Sequence, residues 1–326
     1  MIVGARRPSS ATMRGARHSE WGSPLEVVDL PRPEPAAGEV RVRVKAAGVN
    51  PIDVFTGRNA GYEQSMRLPF IPGWDVAGVV DALGYGVTRL RVGTGVFGLA
   101  WFPYPAGTYA QYVTVPAQHL VPMPASASFT EAACLPMAAL TAWQMLAAAK
   151  VDAGQRVLIS GASGGVGHLA VQLAAGRGAT VFALARAHDH EVLTDLGAHV
   201  CIDYTDRQAL ATIGTADAVI DLVGHDFGRS LIDHLAPGGH VALATAWSIP
   251  DYQQLAAERS VHAHSCLVEP DPEALKIISS LVDTGGLRVV VGAQFPLDHA
   301  AQAQHWVLDR HGVGKAAIVI DPATQP

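Results

Sequence analysis

The run Ser160-Gly161-Ala162-Ser163-Gly164-Gly165-Val166-Gly167 has the residue types and spacing of a phosphate cradle. It follows the apolar run Val157-Leu158-Ile159 and opens a helix-like stretch, HLAVQLAAGRG. Strand, glycine turn and helix start in that order are the context that the dinucleotide fingerprint G-x-G-x-x-G requires. Ala162 takes the place of the first glycine, and the physical requirements survive the change. Gly164 lets the backbone approach a pyrophosphate, and Gly167 lets the helix pack closely on the strand. The N–H groups of Gly165 and Val166 then face the anion from a helix N-terminus, and Ser163 belongs to the same cofactor-binding turn.

The next expected strand, Val181 to Leu184, ends at Ala185-Arg186, with His188 and His190 just beyond. An acidic residue at that strand end would accept the ribose 2′-hydroxyl of NAD. Ala185 removes the carboxylate that would repel a 2′-phosphate, and Arg186 offers a forked cation to bind one. Such a charged hydrogen bond is worth roughly 1.5–3 kcal/mol, so the pattern selects NADPH. The plain alternative is that Arg186 is a solvated surface residue.

Around this turn the chain divides in two. Up to about Pro124, short β-branched runs such as Val40 to Val44 alternate apolar and polar residues and are punctuated by Pro and Gly, which predicts a barrel or sandwich. Phe129-Thr130-Glu131 opens an Ala/Leu-rich stretch to Lys150 that reads as one helix. Strands are then expected at 156–160, 180–184, 200–202, 218–221, 240–244 and 261–267, with helices between most of them, which predicts a parallel sheet covered on both faces. The tail adds one helix, 272–283, and strands at 289–294 and 316–320 that return to the first domain.

The 326 residues suit two domains at ~150 residues each. Residues 1–12 read as a disordered extension, with Met13 as an alternative start. The net charge of −6 is scattered, which excludes the clustered basic face of a nucleic-acid binder. No apolar run reaches the ~20 residues of a membrane span. Cys134, Cys201 and Cys266 are too few and too dispersed for a disulfide framework, so a reducing cytoplasm is expected.

With these residues in view the chain resembles the medium-chain dehydrogenase/reductase superfamily, in its zinc-independent quinone oxidoreductase branch. The resembling segments are AAGVNPID (46–53), PFIPGWDVAGVV (69–80), GTYAQYVTVPA (107–117), LPMAALTAWQML (135–146), SGASGGVG (160–167), LGAHVCIDY (196–204), DAVIDLVG (217–224), LAPGGHVAL (235–243) and VGKAAIVI (313–320). The resemblance implies an α/β chain: a GroES-like β-barrel catalytic domain, 13–130 and 270–326, around a doubly wound Rossmann domain, 131–269. It also implies a homodimer. Zinc-dependent relatives carry a Cys within the segment matching Asn50–Asp53 and Gly-His-Glu at Gly73-Trp74-Asp75, and neither is present. His188/His190 and His262/His264 have the wrong spacing for a metal site and read as solvent-edge or cofactor-side pairs.

Residue by residue, the resemblance places Thr141 on the nicotinamide side of the cofactor and Tyr204 beside the adenosine phosphate. Val223, Ala244 and Leu267 come at strand ends near it, and Lys315, in the G-K before the last strand, reaches toward it. Relatives often carry a lysine where Asp189 stands, which shifts the phosphate grip to Arg186 or to His188 and His190. Without zinc, hydrogen-bond donors must meet the charge that develops on the acceptor oxygen. Asn50 and Tyr62 are the catalytic candidates; otherwise Asn50 sets a turn before Pro51 and Tyr62 is a rim aromatic. Trp74, Trp101, Phe102 and Tyr104 either line a pocket for a flat substrate or belong to the core. Three functions remain open: NADPH:quinone reductase, enoyl or alkenal reductase of a secondary metabolite, and non-catalytic NADPH-binding protein.

Overall fold

A computed structural model describes residues 11–244, 249–309 and 312–321. Of the extension expected over 1–12, residues 1–10 lie outside the described residues, while Thr12 already sits in a strand, opposite Pro31. β1 (Thr12–Arg17) and β2 (Glu26–Pro31) form an antiparallel ribbon. Then come β3 (Glu39–Val49), α1 (Pro51–Gly57), β4 (Asp75–Leu83), β5 (Gly95–Leu99), β6 (Tyr112–Pro116) and β7 (Leu120–Pro122). The alternation in Val40–Val44 predicts a half-buried strand, but β3 is covered on both faces. Val40, Val42 and Val44 enter the barrel core, and Arg41 is buried as well. A buried charge needs partners, and Arg41 finds Asp81 at 2.6 Å and Glu34 at 2.8 Å.

The stretch from Phe129 to Lys150 is two helices and not one: α2 (Phe129–Ala133) and α3 (Pro136–Ala148). Proline lacks the N–H that would continue α2 but suits a first helical position, so Pro136 starts a new helix. Ser128 and Glu131 cap the start of α2 reciprocally, through contacts of 3.2 and 2.8 Å.

Strands and helices then alternate: β8 (Arg156–Ile159), α4 (Gly167–Gly176), β9 (Thr180–Ala185), α5 (His190–Asp195), β10 (Val200–Asp203), α6 (Arg207–Leu210), β11 (Ala216–Asp221), α7 (His225–Ser230), β12 (Leu235–Leu243), α8 (Ile249–Arg259) and β13 (His262–Ser265). The six strands are parallel, in the order β10-β9-β8-β11-β12-β13. The winding direction reverses between β8 and β11, and open parallel sheets bind ligands beyond the strand ends at such a point.

α9 (Pro272–Asp283) packs on α3 and β7. β14 (Val291–Pro296), α10 (Ala300–Asp309) and β15 (Lys315–Val319) follow, and β15 pairs antiparallel with β3. The resulting sheet runs β14-β15-β3-β4-β5-β7, with β6 paired to β3. The sequence reading expects one helix in this tail and the structure has two. α10 buries Ala300, Ala303 and Gln304, which give no apolar stripe to read. The architecture is α/β, a GroES-like barrel joined to a Rossmann-type sheet. Among the described residues no helix is long and apolar enough to cross a membrane.

Candidate active site

The glycine turn joins β8 to α4 at the switch point. A Cβ on Gly167 would stand 2.2 Å from the Gly161 carbonyl oxygen, so the turn itself requires that glycine. Gly164 differs, because its Cβ would meet only the same oxygen at 3.2 Å and otherwise open space. The fold asks little of Gly164; an incoming backbone-hugging ligand asks more. Among the described residues the N–H groups of Gly165 and Val166 have no acceptor, and they sit at the start of the ten-residue α4. The turn therefore fits a pyrophosphate. The Ser163 carbonyl accepts from Gly314 N–H at 2.9 Å, which ties the turn to the barrel domain.

On the adenosine side the structure brings Arg186 and Tyr204 together. Arg186 Nε donates to the Tyr204 hydroxyl at 3.0 Å, and its two terminal nitrogens have no partner among the described residues. Tyr204 is braced edge-on by Phe227. The His190 Nε2 lies 3.2 Å from the Ala185 carbonyl, against the end of β9. Val223 lies over Gly161, 3.3 Å from where a Cβ would stand, and Ala244 donates its N–H to the Asp221 carbonyl. Leu267, two residues past β13, is 48% exposed, and no hydrogen bond joins it to the turn among the described residues.

Lys315 reaches away from the turn. Its stem crosses Gly165, where a Cβ would meet Lys315 Cγ at 3.0 Å. Its ammonium donates to the Val49 carbonyl at 3.1 Å and to Asn50 Oδ1, and lies 3.5 Å from Asp75 Oδ2. Asn50 is buried between these ions: its Nδ2 donates to Asp75 Oδ2 at 2.9 Å and its backbone N–H to Asp53 Oδ2 at 2.7 Å. The second Nδ2 hydrogen has no acceptor among the described residues. Asp75 Oδ1 takes the Met137 N–H at 2.7 Å, and the Tyr109 hydroxyl donates to Asp53 Oδ2 at 2.8 Å. Burial lifts both carboxyls, with Lys315 opposing the shift at Asp75, and Asp53 is pushed up to about 7. Both acids, expected to stabilise local structure, are wholly buried in this cluster. Thr141, on α3, donates its hydroxyl to the Met137 carbonyl at 2.6 Å, so it abuts the same cluster.

Trp74 immediately precedes Asp75, and its ring is nearly inaccessible. It meets Phe102 edge-on at 5.2 Å, and Tyr62 meets Phe102 at 5.2 Å and Trp74 at 6.4 Å. Tyr62 is half-buried, its hydroxyl has no partner among the described residues, and burial raises its pKa. The expected quartet of aromatics thus splits. Trp101 turns to the Thr114 carbonyl and His119, while Tyr104 projects into solvent and fixes the Trp74 indole only through its carbonyl.

Two sets of residues escaped the sequence reading. Asp221, at the end of β11, accepts from Ser160 Oγ, from the N–H groups of Val223 and Gly224, and from the Tyr252 hydroxyl. It holds the two strand ends of the switch point in register. His168, on the first turn of α4, donates from Nδ1 to the Gly164 carbonyl and accepts at Nε2 from Val290 N–H. Burial pushes its pKa down to about 4, so it is neutral and can play both parts. An acid closing a strand of a fingerprint sheet is a usable signal for Asp221; nothing in the sequence marks His168.

Among the described residues no three His, Cys, Asp or Glu side chains are grouped to hold a metal. His262 and His264 meet His240 of the neighbouring strand. His240 Nδ1 and His264 Nε2 lie 2.9 Å apart, the distance of one shared proton.

Two family profiles match this chain: Alcohol dehydrogenase GroES-like domain over residues 36–125 and Zinc-binding dehydrogenase over residues 196–318. It is 29% identical to the quinone oxidoreductase of Rattus norvegicus over 94% of this chain and 98% of that one. It is 30% identical to the chloroplastic NADPH-dependent alkenal/one oxidoreductase of Arabidopsis thaliana over 94% of this chain and 79% of that one. The quinone oxidoreductase structure from Coxiella burnetii superposes with a TM-score of 0.91 at 34% identity, covering 95% of this chain and all of the other. A dinucleotide turn at a Rossmann switch point, a barrel-side polar cluster and these likenesses lead to one conclusion: the chain belongs to the medium-chain dehydrogenase/reductase superfamily, in its quinone oxidoreductase branch, and is an oxidoreductase that uses a nicotinamide dinucleotide.

Proposed function

We propose that the protein is an NADPH-dependent, zinc-independent reductase of quinones or small conjugated carbonyl compounds. The observation that carries the reading is the Asn50 amide: a buried donor with a spare N–H, anchored to Asp75, the residue next to Trp74 of the aromatic trio Tyr62, Trp74 and Phe102. A nicotinamide bound along the turn supplies hydride. As the acceptor gains it, negative charge develops on oxygen, and preorganised N–H donors stabilise that charge without a metal. Tyr62, half-buried and braced edge-on by the core rings Trp74 and Phe102, is the aromatic that can face a planar acceptor. The preference for NADPH rests on Arg186, whose outward fork is pre-oriented by Tyr204.

The test is NADPH consumption against benzoquinone, naphthoquinone, phenanthrenequinone, hexenal and a crotonyl thioester. Turnover with quinones is expected. Turnover with only the enal or thioester replaces this reading with an alkenal or enoyl reductase, which the unpartnered Tyr62 hydroxyl favours as the proton source. In that case Tyr62→Phe lowers kcat by about 10²-fold, the usual contribution of a general acid. Binding of NADPH without turnover of any acceptor leaves a non-catalytic NADPH-binding protein.

Two further parts of the reading are independent of the chemistry. Two copies pair through β13, one of the two outer strands of the Rossmann sheet, and sedimentation gives a dimer mass if so. The three free thiols suit a reducing cytoplasm, where they persist unpaired.

A further inference from the structure

We propose that Lys315 is a positioning residue for the acceptor oxygen, fixing and polarising the Asn50 amide so that its remaining N–H donates to the developing oxyanion. The inference rests on the functional reading above and assigns Lys315 a task other than holding the cofactor.

The backbone puts Lys315 there under constraint. Gly314 has φ +96°, and a Cβ on it would stand 2.1 Å from the Val290 carbonyl oxygen. The Lys315 N–H donates to that same carbonyl at 2.9 Å. From this fixed root the side chain passes over Gly165 and ends among Val49, Asn50 and Asp75, 4% exposed. An ammonium has three hydrogens, and three oxygens surround this one. None of them is left for a phosphate.

The ions also settle which way the Asn50 amide points. A cation on Oδ1 and a carboxylate on Nδ2 allow one orientation, since a flip would set N–H against ammonium and oxygen against carboxylate. Accepting from a cation draws electron density from the amide nitrogen, which offsets the density that the Asp75 carboxylate returns to it and keeps the other N–H an effective donor. Lys315 thus supplies fixed positive charge one bond-network step from the acceptor oxygen, at no cost in reorganisation during the reaction.

Removing Lys315 alone would leave Asp75 buried without its counterion, so the test variant is Lys315→Met with Asp75→Asn, which removes both charges together. Four proteins are compared: wild type, this pair, Asn50→Ala, and all three substitutions combined. Three quantities are measured: the Kd for NADPH, kcat with the best acceptor, and the pKa of para-nitrophenol bound to the NADP⁺ complex, read from its absorbance. The phenolate stands in for the oxyanion.

The expected result is an unchanged Kd for NADPH, kcat lowered about tenfold or more, and loss of the bound phenol's acid shift. Adding Asn50→Ala to the pair should then lower kcat no further than Asn50→Ala does alone, because both act through one donor. Weaker NADPH binding with kcat intact would make Lys315 a cofactor ligand and overturn the proposal. So would multiplicative losses in the combined variant, or a fall in Tm with kcat and the phenol pKa preserved. If the wild type reduces no acceptor, the functional reading fails by itself, and the phenol titration still decides the role of Lys315.

Discussion

One side chain, Lys315, bridges the dinucleotide turn and the acceptor cluster, yet the two regions are built in opposite ways. The turn is eight consecutive residues whose backbone does the work. The cluster draws Asn50, Asp53, Asp75, Tyr109 and Lys315 from separated parts of the chain, and their side chains do most of the work, with the Met137 N–H as a backbone support. A contiguous backbone device tolerates no Cβ at its tightest point. A dispersed side-chain device tolerates change in any one member only as far as the buried charges remain balanced.

The largest effect expected from this contrast is at Gly167. Gly167→Ala sets a methyl 2.2 Å from a carbonyl oxygen and should cost about 3 kcal/mol or more of stability, read as a fall in Tm. Gly164→Ala, three residues earlier, should leave Tm nearly unchanged while weakening NADPH binding at least severalfold. Equal effects of the two on Tm would break the distinction between a glycine the fold needs and one the ligand needs.

The turn was legible because its strand, glycines and helix are adjacent in sequence and each has a local physical reason. The cluster was legible only in part. Asn50 and Lys315 stood out through resemblance, but their contact spans 265 positions and no local pattern announces it. The same limit explains His190: its place beside the expected phosphate is readable from sequence, whereas the rotation of its ring onto the Ala185 carbonyl is not. The break at Pro136 was readable in principle, since a proline inside a helical run lacks the N–H that continues a helix and suits the first position of a new one.

The second effect tests the cluster through pH. Burial lifts Asp53 from 3.8 to about 7, so the folded chain keeps a proton that the unfolded chain releases near pH 4. The folded state then binds more protons over that interval, and stability falls as pH rises from about 4 to about 7, with no further loss from this group above it. Asp53→Asn keeps an acceptor for the Asn50 N–H and the Tyr109 hydroxyl and removes the ionisation. Its advantage over wild type should grow to on the order of 3 kcal/mol between about pH 5 and about pH 8. Parallel Tm curves across that range would show that Asp53 titrates normally.

The third effect sharpens the reading of the turn. Arg186→Ala should lower kcat/KM with NADPH by about 10–100-fold and leave kcat/KM with NADH unchanged. A uniform loss with both cofactors would mean that Arg186 supports Tyr204 and not a 2′-phosphate.

The smallest effect lies where a legible device serves the illegible region. Ser128 and Glu131 cap α2, and after two intervening residues Pro136 opens α3, whose Met137 N–H holds Asp75. Ser128→Ala removes one cap and should cost about 1 kcal/mol. Cys134, Leu135 and Ala133 are fully buried, so the join between the helices is clamped by packing as well as by the cap. The loss should therefore stay local: Tm falls by a few degrees, while kcat and its pH dependence match the wild type. A matching drop in kcat would mean that the cap transmits its geometry through α3 to Asp75. The acceptor cluster would then depend on a signal that a reader of the sequence can already see.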